Sequence, residues 1–208
     1  MIDINVFSVG VMGTNTYVIT DKTTGDTAVI DPGAVDSRLT AFLDSVSKDK
    51  IKYILLTHGH FDHIGGALYY SKKYDAKIVI SREDKPFLSD NNFNLSALFS
   101  RPLESFSADV LLSDGDRFRL GDTEVDFLLT PGHTMGSGCY VLSDDKIIFS
   151  GDTLFYHSMG RVDFPTGDPF EMKKSLNKLC SLEGEYKVYP GHDIPTTLQG
   201  ERDNNPYL

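Results

Sequence analysis

The stretch Thr57-His58-Gly59-His60-Phe61-Asp62-His63 puts three imidazoles and a carboxylate within six positions, directly after the apolar run Ile54-Leu55-Leu56. Such nitrogen and oxygen donors suit divalent first-row ions. Four neighbouring side chains cannot enclose an ion unaided, and an isolated H-x-H pair reads more readily as a surface or capping feature than as a metal site. The question is whether distant segments supply more donors. Three do: Leu128-Leu129-Thr130-Pro131-Gly132-His133, Ile148-Phe149-Ser150-Gly151-Asp152 and Val188-Tyr189-Pro190-Gly191-His192 each end an apolar run with a glycine and a potential ligand. A catalytic ion takes about three protein ligands and keeps one position open, so two ions need roughly six or seven donors. His58, His60, Asp62, His63, His133, Asp152 and His192 make up that number and use five of the six histidines. His58 and His60, two apart, can point to one side of an extended turn while Asp62 and His63 face a second point, so one cluster can serve two metals.

Donors at the ends of several strands require a sheet edge to gather them. Ile4 to Val9, Asn15 to Ile19 and Thr27 to Ile30 read as strands, the last closing on Asp31-Pro32-Gly33. Asp36 to Lys48 carries Leu39, Phe42, Leu43 and Val46 at helical spacing and leads into a strand from Ile51 to Leu56. Beyond the histidine cluster the pattern predicts a helix over Ile64 to Tyr74, a short strand over Lys77 to Ser81, and an irregular helical region from Glu83 to Phe99. Two hairpins follow, Arg117 to Leu120 with Glu124 to Leu129 about Gly121-Asp122, and Gly138 to Leu142 with Lys146 to Phe149 about Asp144-Asp145. A helix over Phe170 to Leu182 precedes a last strand, Tyr186 to Tyr189.

The 208 residues, read as one domain spanning 1–208, suffice for one sizeable core, and 40% hydrophobic with 24% charged residues is ordinary for a globular α/β chain. A net charge of −10 and no cluster of Lys and Arg argue against gripping a phosphate backbone, so no nucleic-acid partner is expected. No apolar run reaches membrane-spanning length, and Met1-Ile2-Asp3-Ile4-Asn5 does not begin an export signal, so no membrane partner and a cytoplasmic location are expected. Cys139 and Cys180 make no disulfide framework and read as structural thiols.

T-H-G-H-F-D-H resembles the H-x-H-x-D-H signature of the metallo-β-lactamase superfamily. Gly132-His133, Gly151-Asp152 and Gly191-His192 are similar to its remaining ligand motifs, and Asp31-Pro32-Gly33 to its early structural aspartate. The resemblance runs from about residue 5 to 195. It implies an αββα sandwich, two mixed sheets between outer helices with the metal site at one edge. It also implies two divalent metal ions, zinc first, with iron and manganese suited to the same donors. His58, His60 and His133 would hold one ion, Asp62, His63 and His192 the other, with Asp152 bridging. The implied reaction is hydrolysis: a bridging hydroxide attacks a carbonyl carbon, the metals stabilise the oxyanion and leaving group, and Asp62 orients the hydroxide and accepts its proton.

Gly151-Asp152-Thr153-Leu154-Phe155 and Gly160-Arg161-Val162-Asp163-Phe164-Pro165 are closest to compact glyoxalase II-like hydrolases. These imply an anionic small-molecule thioester as substrate, of the hydroxyacylglutathione class. The chain carries sixteen residues after His192, without the helical segment that supplies glutathione-binding residues in the longer enzymes. Persulfide dioxygenases share a Gly-Arg-x-Asp-Phe stretch and use one iron, which gives an oxidoreductase alternative. A metal-binding module without turnover is a third. Arg161 either holds a substrate carboxylate or pairs with Asp163 or Asp168 to fix its loop, the structural role being preferred. Tyr156 and His157, in the same loop, either line the pocket or lie exposed.

Overall fold

In the computed structural model, which describes residues 1–208, the first half of the chain builds one sheet and the second half another. The first has six strands in chain order: β1 (Ile2–Val9), β2 (Thr14–Asp21), β3 (Thr27–Ile30), β4 (Ile51–Leu55), β5 (Lys77–Ser81) and β6 (Val110–Leu112). Hairpins make β1 to β3 antiparallel, whereas β3 to β6 run parallel. Parallel neighbours need crossovers. Helix α1 (Ser37–Asp44) supplies the first, and α2 (Phe61–Ile64) with α3 (Ala67–Tyr74) the second.

The second half comprises β7 (Arg117–Leu120), β8 (Thr123–Leu129), β9 (Gly138–Leu142), β10 (Ile147–Gly151), a small ribbon of β11 (Leu154–Phe155) and β12 (Ser158–Met159), then α4 (Pro169–Cys180), β13 (Lys187–Pro190), β14 (Thr196–Thr197) and α5 (Leu198–Asn204). Its sheet has the order β14-β13-β10-β9-β8-β7, with β10 and β13 parallel.

Period-two alternation decides what each strand faces. In β2, Tyr17 and Ile19 enter the core between the sheets, which also holds Leu55, Phe127, Tyr140 and Phe149. Val18 points the other way, into the layer under α1 and α3 with Leu39, Leu43 and Tyr70. In β10, Phe149 faces the first sheet while Ile148 packs with Met172 and Leu176 of α4 and Leu198 of α5. Both sheets are thus covered on both faces, the metallo-β-lactamase fold with its layers in the order αββα. No helix is long and apolar enough to cross a membrane.

Helix starts follow their caps. The Asp36 carboxylate accepts the amides of Arg38 and Leu39 at α1, and the Asp168 carboxylate those of Phe170 and Glu171 at α4. Several boundaries differ from the sequence reading. The helix expected over Ile64 to Tyr74 is two pieces, because Gly65 and Gly66 press against the carbonyls of Gly33, Pro32 and Ala34, where a β-carbon has no room. Helix α1 stops at Asp44, four residues before Lys48. Glu83 to Phe99 contains a single 3-10 turn, Lys85–Leu88, and otherwise turns. The strand ending near Tyr189 is not the last, since β14 and α5 follow it.

Candidate metal centre

The carboxyl ends of β3, β4, β8, β10 and β13 lie along one edge of the sandwich, and each runs into a loop bearing an aspartate or histidine. Two sets of contacts stitch the sheets together there. The Asn15 amide donates to the Gly191 carbonyl at 2.7 Å and the Tyr17 hydroxyl to Pro190 at 2.6 Å. From the second sheet, the Gly138 amide donates to Thr57 at 2.8 Å and the Tyr140 hydroxyl to Leu56 at 2.9 Å. At Gly151 the chain takes φ +49°, and a β-carbon would sit 2.3 Å from the Thr57 hydroxyl, so glycine is what lets Asp152 approach the histidine loop. Gly160 passes beneath the same residue, where a β-carbon would be 1.8 Å from the Asp152 carbonyl oxygen.

All seven donors read from the sequence converge. His58, His60 and His133 form one group, Asp62, His63 and His192 another, with the donor atoms of each group within 4.8 Å of one another. His60 Nδ1 stands 2.9 Å from His133 Nε2, His63 Nε2 3.3 Å from His192 Nε2, and His192 Nε2 3.3 Å from Asp62 Oδ2. Asp152 lies between the groups, with Oδ2 3.5 Å from His133 Nε2 and Oδ1 3.4 Å from His63 Nε2. Donors sharing an ion at bonds of 2.0–2.1 Å in tetrahedral array stand about 3.3 Å apart. The spacings of 3.3, 3.3, 3.4 and 3.5 Å match that figure, and the His60–His133 pair at 2.9 Å is tighter. His58 Nε2 and Asp152 Oδ1 are buried without any hydrogen-bond partner, a costly condition that a cation relieves. The residues therefore fit a metal centre.

The charge balance points the same way. Burial, reinforced by neighbouring imidazoles, holds the pKa of His58 and His60 well below the ordinary range, so both keep a free lone pair. Burial also pulls on His63, but Asp152, Asp62 and Asp31 outweigh it and raise its pKa to about 10. Burial would raise the Asp62 carboxyl, yet His63 and His192 hold it far below the usual carboxylate range. The carboxylates of Asp31, Asp62 and Asp152 around these imidazoles favour positive charge, which a proton on His63 or a bound cation supplies.

A ring of supporting contacts orients the donors. Asp31, in a left-handed conformation at φ 48°, accepts the Thr57 amide at 2.8 Å, the Thr57 hydroxyl at 2.6 Å and His63 Nδ1–H at 2.9 Å. His133 Nδ1–H donates to the Arg161 carbonyl at 2.8 Å. Both histidines thereby present Nε2 to the site. Asp84, fully buried after β5, accepts the Gly59 amide at 2.9 Å and the Thr134 hydroxyl at 2.7 Å, so one carboxylate ties together the loops carrying His58, His60 and His133. The Glu201 carboxylate of α5 accepts the His157 backbone amide at 2.9 Å and the Asn205 side-chain Nδ2–H at 2.8 Å, which pins the loop after β11.

The sequence reading did not select Asp84 or Glu201. Asp84 follows β5 at the same edge as the ligand loops, and that position was the available signal; nothing in the spacing marked Glu201. Arg161 takes the structural role, with Nε and Nη2 each donating to an Asp163 oxygen at 2.7 Å and the guanidinium 3.8 Å from the Phe164 ring centre. Asp168 is the α4 cap instead. Tyr156 is 48% exposed and neither it nor His157 lines the cavity, which takes Phe155, Ser158 and Met159 from that loop. Cys139 is buried and its pKa is pushed by burial up to about 11, an inert thiol.

The donors open onto a cavity of about 450 Å³ that exposes His60, Asp62, His133, Asp152 and His192 at its floor. A larger hollow of about 630 Å³, around Lys48, Lys52 and Tyr53, lies at the opposite ends of the strands and contains no imidazole.

The sequence profile of the Metallo-beta-lactamase superfamily matches residues 9–192. The chain belongs to the metallo-β-lactamase superfamily. Its superfamily relatives include the hydroxyacylglutathione hydrolase GloC of Haemophilus influenzae, 33% identical over 184 residues that cover 87% of this chain and 86% of that protein. The BLEG-1 B3 metallo-β-lactamase superposes with a TM-score of 0.91 at 31% identity, covering 99% of both chains. TTHA1623, solved in a di-iron-bound form, gives a TM-score of 0.85 at 29% identity, covering 98% of this chain and all (100%) of the other.

Proposed function

We propose that the protein is a metal-dependent thioester hydrolase with a dinuclear centre, of the glyoxalase II type in its chemistry. The observation that carries this reading is the pair of donor groups, His58/His60/His133 and Asp62/His63/His192, with Asp152 between them. Metallo-hydrolase chemistry is what the superfamily supports in general, and the kinship with GloC supports the thioesterase form. Ions held by these donors, zinc first among the candidates, would supply Lewis acidity and a water ionised near neutral pH. Asp62, beside His63 and His192, orients the attacking water and takes its proton at a carboxylate oxygen. Asp31 and the Arg161 carbonyl keep His63 and His133 in the tautomers that face the reaction. The whole of 1–208 acts as one domain in this reading, supported by the shared core between the two sheets.

Elemental analysis of protein purified without added metal, followed by a panel with lactoylglutathione and acyl-coenzyme A, tests the proposal. Two metal equivalents and thiol release without oxygen uptake are expected. Asp152→Ala should lose metal and turnover together. One iron per chain with oxygen consumption on glutathione persulfide would replace the hydrolase with a dioxygenase. Two bound ions without turnover of any thioester, lactone or β-lactam would leave only a binding module.

A further inference from the structure

The walls of the cavity have a chemistry of their own. Above the polar floor stand Met12, Phe61, Leu95, Phe99, Phe155 and Met159. Apolar surface comes right up to the donors: the Phe155 ring centre lies 6.3 Å from that of His192, and Phe164 lies 6.0 Å from His60. Phe61 and Phe99 pack together at 4.9 Å, yet Phe99 remains 40% exposed and Met12 47%. Their chain neighbours Val11 and Leu98 are more exposed still, at 66% and 67%. Exposed apolar side chains grouped at a cavity mouth mark a surface that an apolar ligand covers favourably.

Free cations are absent from those walls. Apart from the imidazoles, Arg161 is the only basic residue lining the cavity, and its Nε and Nη2 donate to the two oxygens of Asp163 while Phe164 covers its face. Arg101, a guanidinium with no carboxylate within salt-bridge distance, lines an adjoining cleft that shares only Met12, Phe61 and Asp62 with the cavity. A glutathione conjugate brings two carboxylates and an ammonium, and the walls have no free partner for the carboxylates.

We infer that the substrate carries an apolar group directly beside the scissile bond, seated against Met12, Phe61, Phe99 and Phe155, and that glutathione is not the body this cavity selects. This inference rests on the thioesterase reading and names its substrate class: a thioester whose acyl or thiol portion is a hydrocarbon.

The test measures kcat/KM of the metal-loaded enzyme on acetyl to octanoyl thioesters of the neutral thiol N-acetylcysteamine, on acetate thioesters of straight alkyl thiols, and on lactoylglutathione. In parallel, N-acetylcysteamine alkyl thioethers, which cannot be cleaved, are titrated by calorimetry. A fully buried methylene contributes about a fourfold gain. A rise of about two- to fourfold per methylene in one of the two series, above lactoylglutathione, with tighter thioether binding, is the expected result. Phe99→Ser should move the per-methylene factor towards one. A flat response in both series, or lactoylglutathione as the best substrate, overturns the inference while leaving the hydrolase intact. If no thioester is cleaved, the hydrolase reading fails, and the thioether titration still decides whether the walls seat a hydrocarbon. A Phe99→Ser variant with unchanged length dependence but lower mass in sedimentation would assign the collar to self-association and overturn it as well.

Discussion

At the scale of single residues, the carboxylates that never touch the substrate set the quality of the site. Asp31 links His63 to the backbone of Thr57, so Asp31→Asn should lower metal affinity about 10–100-fold, the range for lost outer contacts to a ligand histidine. Competition against a chromogenic chelator measures this, and unchanged affinity would remove Asp31 from its orienting role. Asp84 makes a different prediction. Burial, opposed by the Thr134 hydroxyl and the Gly59 and Gly136 amides, raises its pKa from 3.8 to about 6. A carboxyl whose folded pKa is raised binds its proton more tightly in the folded state, so its contribution is most favourable below the unfolded value and is lost as pH rises towards the folded one. Relative to Asp84→Asn, the wild type should lose up to about 3 kcal/mol of stability between about pH 4 and 6, the linkage value of roughly two pKa units. Urea midpoints of both proteins across that range read the difference, in which the shared histidines cancel; a constant difference would refute it. The seven donors were legible because imidazoles are few and stand after apolar runs. Asp84 was not, because a side chain that serves backbone amides needs no distinctive spacing.

At the scale of elements, the site depends on close approach of backbones. Gly160→Ala would drive a methyl into the Asp152 carbonyl, and overpacking of this kind costs about 1–3 kcal/mol. A lowered melting temperature together with weaker metal binding is expected, measured by calorimetry and metal titration; an unaffected melt would show that the 158–161 loop yields freely. The strong periodic strands, such as β2 and β10, were readable from alternation, and their glycine-bounded ends even located the site edge. The segments that escaped were β6, β11, β12 and β14, which have two or three residues each. Two residues carry no period. Helix α5, Leu-Gln-Gly-Glu-Arg-Asp-Asn, lacks an apolar stripe and holds on through Leu198 and the buried Glu201 instead. The break between α2 and α3 was hidden because Gly65-Gly66 acts through contact with the Pro32–Ala34 backbone, which is remote in sequence.

At the scale of the whole molecule, the donors come from both sheets: His58, His60, Asp62 and His63 follow β4, whereas His133, Asp152 and His192 follow β8, β10 and β13. A ligand that binds only the folded state stabilises it, by about 2.7 kcal/mol at a hundred times its Kd. For a chain of this length, that corresponds to about 5–10 °C. Chelation should therefore lower the melting temperature by at least this amount, and a melt indifferent to chelator would argue that the donors hold no ion. The layered architecture itself was foreseeable from the motif resemblance, but the apolar character of the cavity was not. Its walls assemble from the β1–β2 turn, the 91–100 segment and the loop after β11, which only the folded chain brings together.

The stitches from Asn15 and Tyr17 to the β13 end, and from Gly138 and Tyr140 to the β4 end, have a kinetic corollary. Because they join the two halves at the same rim that bears the donors, hinging one half against the other to open the crevice would require breaking these four hydrogen bonds. Traffic of reactant and product is left to local fluctuation of the surface loops, and its tempo belongs to them.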